Sequence, residues 1–215
     1  MLDRPVPLFV AALAVVCMLA PARDGHAGGR RSRPVKTGQT TCWDSAGTSV
    51  PCAGTGADGE LRRGEPRSYA DNGDGTIRDK RTALTWEKLS NDGSIHDRDD
   101  VYTWADAFTK IDDLNTAAFA GFTDWRLPNE TELETIVDRS KLLPSAPTEF
   151  QHDCTAGCTV LTCSCTVAQF DSIAWSSTTY VKTPSSAWLV NFYDGTAYTD
   201  PKSALHHVRA VRGGS

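Results

Sequence analysis

Apolar positions along this chain change their period several times, and each change marks an element. Leu8 to Ala20 is an almost unbroken apolar run near the N-terminus. It is too short to span a bilayer, and Pro5, Pro7 and Pro21 flank it, which argues against a buried helix. Arg4 precedes the run, and Gly25-His26-Ala27 after it resembles a small-residue cleavage site. That order is a secretory signal, so residues 1–27 are set apart from the fold. Cys17 would be the lipidated residue of a lipoprotein, but Val16 is too bulky for the small residue that normally precedes it.

A second pattern begins at Arg67. Tyr69 and Ile77 flank Asn72-Gly73-Asp74-Gly75, a turn composition that predicts a hairpin. Leu84 and Trp86 alternate with polar residues over 82–88, as in a half-buried strand. After a polar, acidic stretch over 90–100, Thr103 and Asp106 form a box-like helix start. Trp104, Ala105, Phe108, Ile111 and Leu114 then predict one apolar helix face. Asn129 is a favourable N-cap, with Glu132 three residues on and Leu133, Ile136 and Val137 at helical spacing. A second helix is predicted over 130–138. Residues 141–170 read as one long loop. Strands are predicted at 174–180, 187–192, 196–198 and 207–211, with Asp194-Gly195 turning between two of them. The pattern predicts one α+β domain over 67–215, in the order helix, helix, then strands, after an opening hairpin. Residues 28–66 form a flexible basic leader and a loop-rich lead-in. No internal repeat and no second domain is visible.

Cysteine use changes this picture. Removing Cys17 with the signal leaves Cys42, Cys52, Cys154, Cys158, Cys163 and Cys165. An even number in an exported chain implies disulfides that staple the loops. Cys42 and Cys52 stand apart and flank a Gly/Ser/Thr/Pro loop, so they are expected to pair. The other four have three connectivities open to them. A four-thiolate zinc site is the rival, but their spacing is not a pair of C-x2-C knuckles.

Charge excludes one class of partner. From residue 40 onward, 25 acidic residues face 16 basic ones, a net of −9. Such a domain is a poor nucleic-acid binder by bulk charge. Arg30, Arg31, Arg33 and Lys36 form a short basic run, which most often is a solvated tail.

Candidate chemistry is sparse. Asp71, Asn72, Asp74 and Asp79 resemble a calcium loop, so Asp71, Asp74 and Asp79 are the candidate metal residues and calcium the one candidate cofactor. Against this, Thr82 stands where an EF-hand places its bidentate carboxylate, no helix precedes the loop, and a plain hairpin turn is the preferred reading of these residues. Asp92, His96, Asp97, Asp99 and Asp100 form a second acidic cluster that reads as a solvated loop. His206 and His207 are adjacent on a predicted strand, so their rings point to opposite faces. No nucleophile motif, H-E-x-x-H or phosphate loop is present, and no catalytic residue is assigned. Trp125, Arg126, Pro128 and Asn129 read as a structural turn into the second helix, with Trp125 in the core and Arg126 bonding carbonyls or an acid nearby. Trp175 and Trp188 read as core aromatics of strands.

Several segments carry a resemblance: "DNGDGT" at 71–76, "LTWEK" at 84–88, "TWADA" at 103–107, "GFTDWRLPNETEL" at 121–133, "AWSSTTY" at 174–180, "AWLVNFYDGTAY" at 187–198 and "HHVRAVRGG" at 206–214, which includes Arg209. In this order they resemble the Lcl C-terminal domain family, bacterial exported domains named after part of a collagen-like adhesin. The resemblance implies a C-type-lectin-like fold, related to that of formylglycine-generating enzymes, with two helices packed on a small twisted antiparallel sheet and long disulfide-stapled loops, and an extracellular or cell-envelope location. It also implies a cysteine in many relatives at the positions of Ile111 and Ala210, bonded to each other. The chain has neither the "EPN" nor the "WND" segment of calcium-dependent lectins, and no cysteine after Cys165 as the formylglycine enzymes require. The functional expectation is a non-enzymatic exported binding or adhesion module. Its loops would recognise a surface glycan or a protein, with no nucleic acid partner and no membrane-spanning segment in the mature chain. The alternatives are an envelope enzyme acting on a polysaccharide through a carboxylate pair, or a purely structural envelope protein.

Overall fold

The computed structural model describes residues 34–167 and 172–214. The signal reading of residues 1–27 and the arginines at 30, 31 and 33 lie outside them. In the lead-in, β1 (Cys42–Trp43) pairs antiparallel with β2 (Ser49–Val50), and a Cys42–Cys52 disulfide closes this hairpin. A single helical turn, α1 (Asp58–Leu61), packs on β1. A Cβ on Gly59 would stand 2.4 Å from the Thr41 carbonyl oxygen, so glycine permits this approach. From residue 34 onward the leader makes hydrogen bonds with the rest of the chain. Val35 bridges Glu65, and the Thr37 carbonyl accepts the Arg139 backbone N–H at 2.9 Å and the Arg67 guanidinium at 3.3 Å.

Beyond the lead-in, β3 (Tyr69–Asp71), β4 (Thr76–Asp79) and β5 (Leu84–Glu87) form an antiparallel meander. β9 (Val211–Gly213) adds to β5, so the end of the domain closes the sheet that its beginning opens. A separate meander joins β6 (Ile173–Thr179), β7 (Ser186–Asn191) and β8 (Thr196–Pro201). The architecture is α+β. Among the described residues there are three α-helices rather than two, and three antiparallel sheets rather than one.

Two apolar clusters follow from the period-2 alternation of β6 and β7. Ala174 and Val190 enter a cluster with Tyr69, Ile77, Trp86, Val211, Phe150, Leu133, Ile136 and Val137. Trp175, Ala187 and Leu189 enter the other with Ala107, Ile111, Leu114, Trp125, Leu127, Val208 and Ala210. The second sheet therefore has a core on each face.

The helices differ from expectation in detail. In α2 (Trp104–Thr116) the buried residues are Ala107, Lys110, Ile111 and Leu114, while Ala105 and Phe108 face outward. Hydropathy alone places the aromatic inside and the lysine outside, but a buried carboxylate beneath this helix requires Lys110. α3 (Glu130–Thr135) stops short of 138. The Thr135 carbonyl accepts the Tyr69 hydroxyl and the Val137 carbonyl accepts Arg67, so tertiary donors replace the next helical turn. The expected strand 207–211 is mostly a crossing segment. His206 bridges Tyr102, His207 bridges Ala174 on β6, and regular pairing with β5 starts at Val211. Trp188 is half-buried rather than core, its ring edge-on to Tyr180 at 5.5 Å.

Candidate functional site

The long loops do not wander separately. Loop 90–100 leaves β5 through Leu89, and loop 151–166 follows a short 3-10 turn at Thr148–Phe150. Backbone bonds knit the two together: Asn91 N–H to the Cys158 carbonyl at 3.0 Å, Gly157 N–H to the Asn91 carbonyl at 2.6 Å, and Cys165 N–H to the Leu89 carbonyl at 2.8 Å. Within the second loop, His152 and Ser164 exchange both backbone bonds. Disulfides join Cys154 to Cys165 and Cys158 to Cys163. The β3–β4 turn joins this platform as well. A Cβ on Gly75 would meet Val160 Cγ2 at 2.9 Å and the Phe119 ring at 3.1 Å, so the turn seats against the stapled loop only with glycine there. Leu161, 63% exposed, projects from the tip.

At the flank of the platform a cleft of about 240 Å³ is lined by Asp71, Thr148, Glu149 and His152. Asp71 Oδ2 takes the Nζ of buried Lys88 at 2.7 Å, and Oδ1 accepts the Gly73 N–H at 2.8 Å. Partial burial alone would raise the Asp71 carboxyl. The Lys88 bond and the Gly73 N–H outweigh that and hold it below the usual aspartate range. It is a fixed anion and hydrogen-bond acceptor at neutral pH.

The calcium constellation is not assembled. Asp74 Oδ1 accepts the N–H and hydroxyl of Thr76 in its own turn. Asp79 is buried and accepts the Arg81 N–H and the Thr82 hydroxyl, which caps the β4–β5 turn. With Asp71 tied to Lys88, each of the three carboxylates serves local backbone geometry, as Asx turns do. Among the described residues, the ligand-type side chains whose donor atoms lie within 4.8 Å of one another as a trio are Cys154, Cys158 and Cys165. The second acidic cluster also serves its loop. Asp97 accepts the N–H groups of Gly93 and Asp99, and Asp92 those of Ser94 and the Ser90 hydroxyl.

One member of that cluster does something else. His96 Nδ1 lies 2.7 Å from Oε1 of Glu87, a fully buried carboxylate on β5. Lys110 Nζ from α2 lies 3.3 Å from the same oxygen, and the Ala210 N–H donates to Oε2 at 2.8 Å. Burial works to raise the Glu87 carboxyl, but the Lys110 charge, the His96 bond and the Ala210 N–H leave it lowered. Arg209 is buried beside it, donating to the backbone carbonyl of Glu87 at 2.8 Å and to the Thr166 hydroxyl at 3.0 Å. Burial pulls this guanidinium down to about 10, against the opposing pull of Glu87, so it stays charged at neutral pH. Glu87, Lys110 and Arg209 are buried, His96 is partly open to solvent, and together they keep the carboxylate ionised. The sequence pattern hid it. Leu84 and Trp86 mark one face of β5 as core and assign Thr85 and Glu87 to solvent, yet both are buried, and Lys110 of α2 and His96 of the 90–100 loop reach Glu87 on the second face. Lys110 falls at the inward position between Ala107 and Leu114, and that spacing was the available signal.

The remaining singled-out residues hold the second half of the domain together. Trp125 fills the second cluster, its N–H bonded to the Phe119 carbonyl at 3.0 Å. Arg126 grips Glu132 with both terminal nitrogens, at 2.7 and 2.6 Å, and Glu132 completes a capping box with Asn129. The Pro128 carbonyl accepts the Ser177 N–H, which ties this turn to β6. Trp175 is fully buried and donates to the Tyr102 carbonyl at 2.9 Å. His206 Nε2 contacts Asp200 at 2.8 Å, while His207 Nδ1 reaches the Asp100 carbonyl at 3.0 Å, so the two imidazoles serve different neighbours.

The model of the Lcl C-terminal domain family matches residues 75–212. The chain belongs to this family. No curated protein matches it. The Lcl C-terminal domain match opens at Gly75, where the hairpin meets the stapled loop, and ends in β9. It therefore contains the Glu87 network, the second core, all of the first core but Tyr69, and most of the platform, while β3 and the lead-in extend it at the N-terminal side. Among the described residues, no helix is long and apolar enough to cross a membrane.

Proposed function

We propose that this Lcl C-terminal domain is a non-enzymatic exported binding module on a C-type-lectin-like scaffold, and that the platform of three loops recognises a surface glycan or a protein. One observation carries the reading. Loops 90–100 and 151–166 are joined by backbone bonds, two disulfides staple the second loop internally, and the β3–β4 turn packs against it at Val160, so the surface is preorganised, which lowers the entropy lost on binding. Rigid elements presenting shaped loops are where recognition is commonly placed. The cleft beside them is lined by Asp71, Thr148, Glu149 and His152 and presents mostly carbon surface, which suits the apolar face of a sugar ring or an apolar side chain. The net charge of −9 from residue 40 onward disfavours a polyanionic glycan. Catalysis is not part of the proposal. Asp71 is held ionised, whereas a general acid needs a raised pKa.

A glycan array and a pull-down from envelope material, both with the mature chain, identify the ligand class. Replacing residues 155–164 by a short Gly/Ser linker keeps Cys154–Cys165 as its base and should weaken binding at least tenfold. His152→Ala should weaken it too if the cleft is used. Unchanged affinity after the loop exchange would sink the proposal. So would turnover of a polysaccharide that Glu149→Gln abolishes, which would favour the enzyme alternative.

A further inference from the structure

The two disulfides of the stapled loop are not merely close in sequence. Cys165 Sγ lies 3.7 Å from Cys158 Sγ and 3.7 Å from Cys163 Sγ, sulfurs of the other bridge, and Cys154 Sγ is within 4.8 Å of both Cys158 and Cys165. Four sulfurs thus share one small cluster packed against Leu89. Regular tetrahedral thiolate coordination of zinc, with Zn–S bonds of about 2.3 Å, sets its sulfurs about 3.8 Å apart. Two non-bonded sulfur pairs already stand near that edge length, and Cys163, which lies outside the trio that is within 4.8 Å, has only to approach Cys154. Cys163 and Cys165 are fully buried and Cys154 is partly open, giving a closed interior and a route of entry. The Arg98 guanidinium lies 3.0 Å from Cys154 Sγ, which places a cation against a site that would carry four thiolates around a dication.

We propose that Cys154, Cys158, Cys163 and Cys165, once reduced, form a tetrathiolate zinc site, so that the loop has two stapled states: two disulfides when oxidised and one metal centre when reduced. A dithiol reductant supplies four electrons and four protons, breaks both S–S bonds, and becomes two cyclic disulfides. Zinc then displaces the four thiol protons and forms four Zn–S bonds, so uptake releases protons and strengthens as pH rises. The metal and the disulfides impose similar closure on the loop, because the backbone pairing of His152 with Ser164 and the Leu89–Cys165 bond need not change. This inference is independent of what the platform binds.

The test uses the mature chain carrying Cys42→Ser and Cys52→Ser, which removes the unrelated thiol pair. It is reduced with dithiothreitol, freed of reductant anaerobically, and titrated with Co2+. The expected result is one Co2+ per chain, with the intense visible and thiolate-charge-transfer absorption of tetrahedral sulfur ligation, bleached by added Zn2+. The oxidised protein should show none of this. Adding Cys158→Ser and Cys163→Ser should abolish the spectrum, and Arg98→Gln should weaken metal affinity about 10–100-fold. Weak octahedral absorption, substoichiometric uptake, or a spectrum that the four-serine variant retains overturns the proposal. A reduced chain that unfolds and does not regain its near-ultraviolet circular dichroism when Co2+ is added overturns it equally, because the metal should replace the disulfide closure.

Discussion

Glu87→Gln is the sharpest probe of what holds this domain together. The wild-type carboxylate is fully buried and meets Lys110, His96 and the Ala210 N–H. Glutamine keeps the shape and can still accept from Ala210. It removes the negative charge and leaves Lys110, itself 2% exposed, as an uncompensated buried cation beside Arg209. Breaking one partner of a buried pair costs about 3–5 kcal/mol, and the retained Ala210 bond argues for the lower end, about 3 kcal/mol. For a domain of this size each kcal/mol moves the melting temperature by roughly 2–4 °C, so the shift should be roughly 6–12 °C downward. Thermal unfolding at neutral pH without reductant measures it. Glu87→Met combined with Lys110→Met should recover most of the loss, since a desolvated pair can be exchanged for well-packed apolar groups at little cost. The pH profile gives a second reading. A carboxyl lowered in the folded state contributes stability that is present above the unfolded pKa, about 4.3, and is lost as pH falls through the folded pKa. The wild type should therefore lose stability more steeply than Glu87→Gln in acid. A shift under about 2 °C at neutral pH, or identical acid slopes, would refute the assignment of Glu87 as an ionised, structural anion.

Other perturbations address separate contacts. Ile111→Ala empties a buried position on the inward face of α2 and should cost about 2–4 kcal/mol in denaturant unfolding; a cost under about 1 kcal/mol would contradict its place in the second core. Asn129→Ala removes the oxygen that accepts the Glu132 N–H and half of the capping box, for about 1 kcal/mol, readable in the same assay. Replacing Cys42 and Cys52 by serine opens a short loop, worth about 2–3 kcal/mol in the chain-entropy picture. Limited proteolysis should then cut within residues 42–58 while the rest of the domain persists, and equal resistance in both proteins would show the bridge to be redundant.

Local signals were legible where neighbours in sequence settle the structure. The Asn129–Glu132 capping box, the Thr103 cap, the β3–β4 hairpin and the Asp194-Gly195 turn each depend on side chains within a few residues. Periodicity failed where an element is covered on more than one side. Glu87 and Lys88 on and after β5 look solvent-facing, yet both are buried, because α2 and the β3–β4 turn close over them. Phe108 looks interior, yet it sits outside against Trp104, whose other face lies under Lys202 at 3.9 Å. The carboxylates of 71–79 look like a metal loop because Asx turns and cation sites draw on the same residues. Which use prevails depends on whether the chain brings them to one point, and here it does not. The joining of loops 90–100 and 151–166 had no sequence signature, since its bonds run through backbone groups that every residue carries.

The Glu87 network also explains how this chain can lack a cross-link that its resemblance to the family leads one to expect. Ile111 on α2 and Ala210 before β9 stand where many relatives are implied to carry bonded cysteines, and both side chains belong to the same buried cluster. A disulfide there would tie the helix to the closing strand. In this chain the residues beside them make that tie. Lys110 reaches Glu87 from α2, Ala210 donates its backbone N–H to the same carboxylate, and Arg209 bonds the Glu87 carbonyl. Glu87 thus sits at the junction of β5, α2 and the final segment, joined to each by a directed bond, while Ile111 and Ala210 fill the space with apolar volume. The two solutions differ in how they respond to conditions. A covalent tie is indifferent to pH and fails on reduction. An ionic one survives reduction and weakens in acid. This domain should therefore keep its helix-to-strand connection under reductant even when its stapled loop has lost both disulfides, and lose that connection first when Glu87 is protonated.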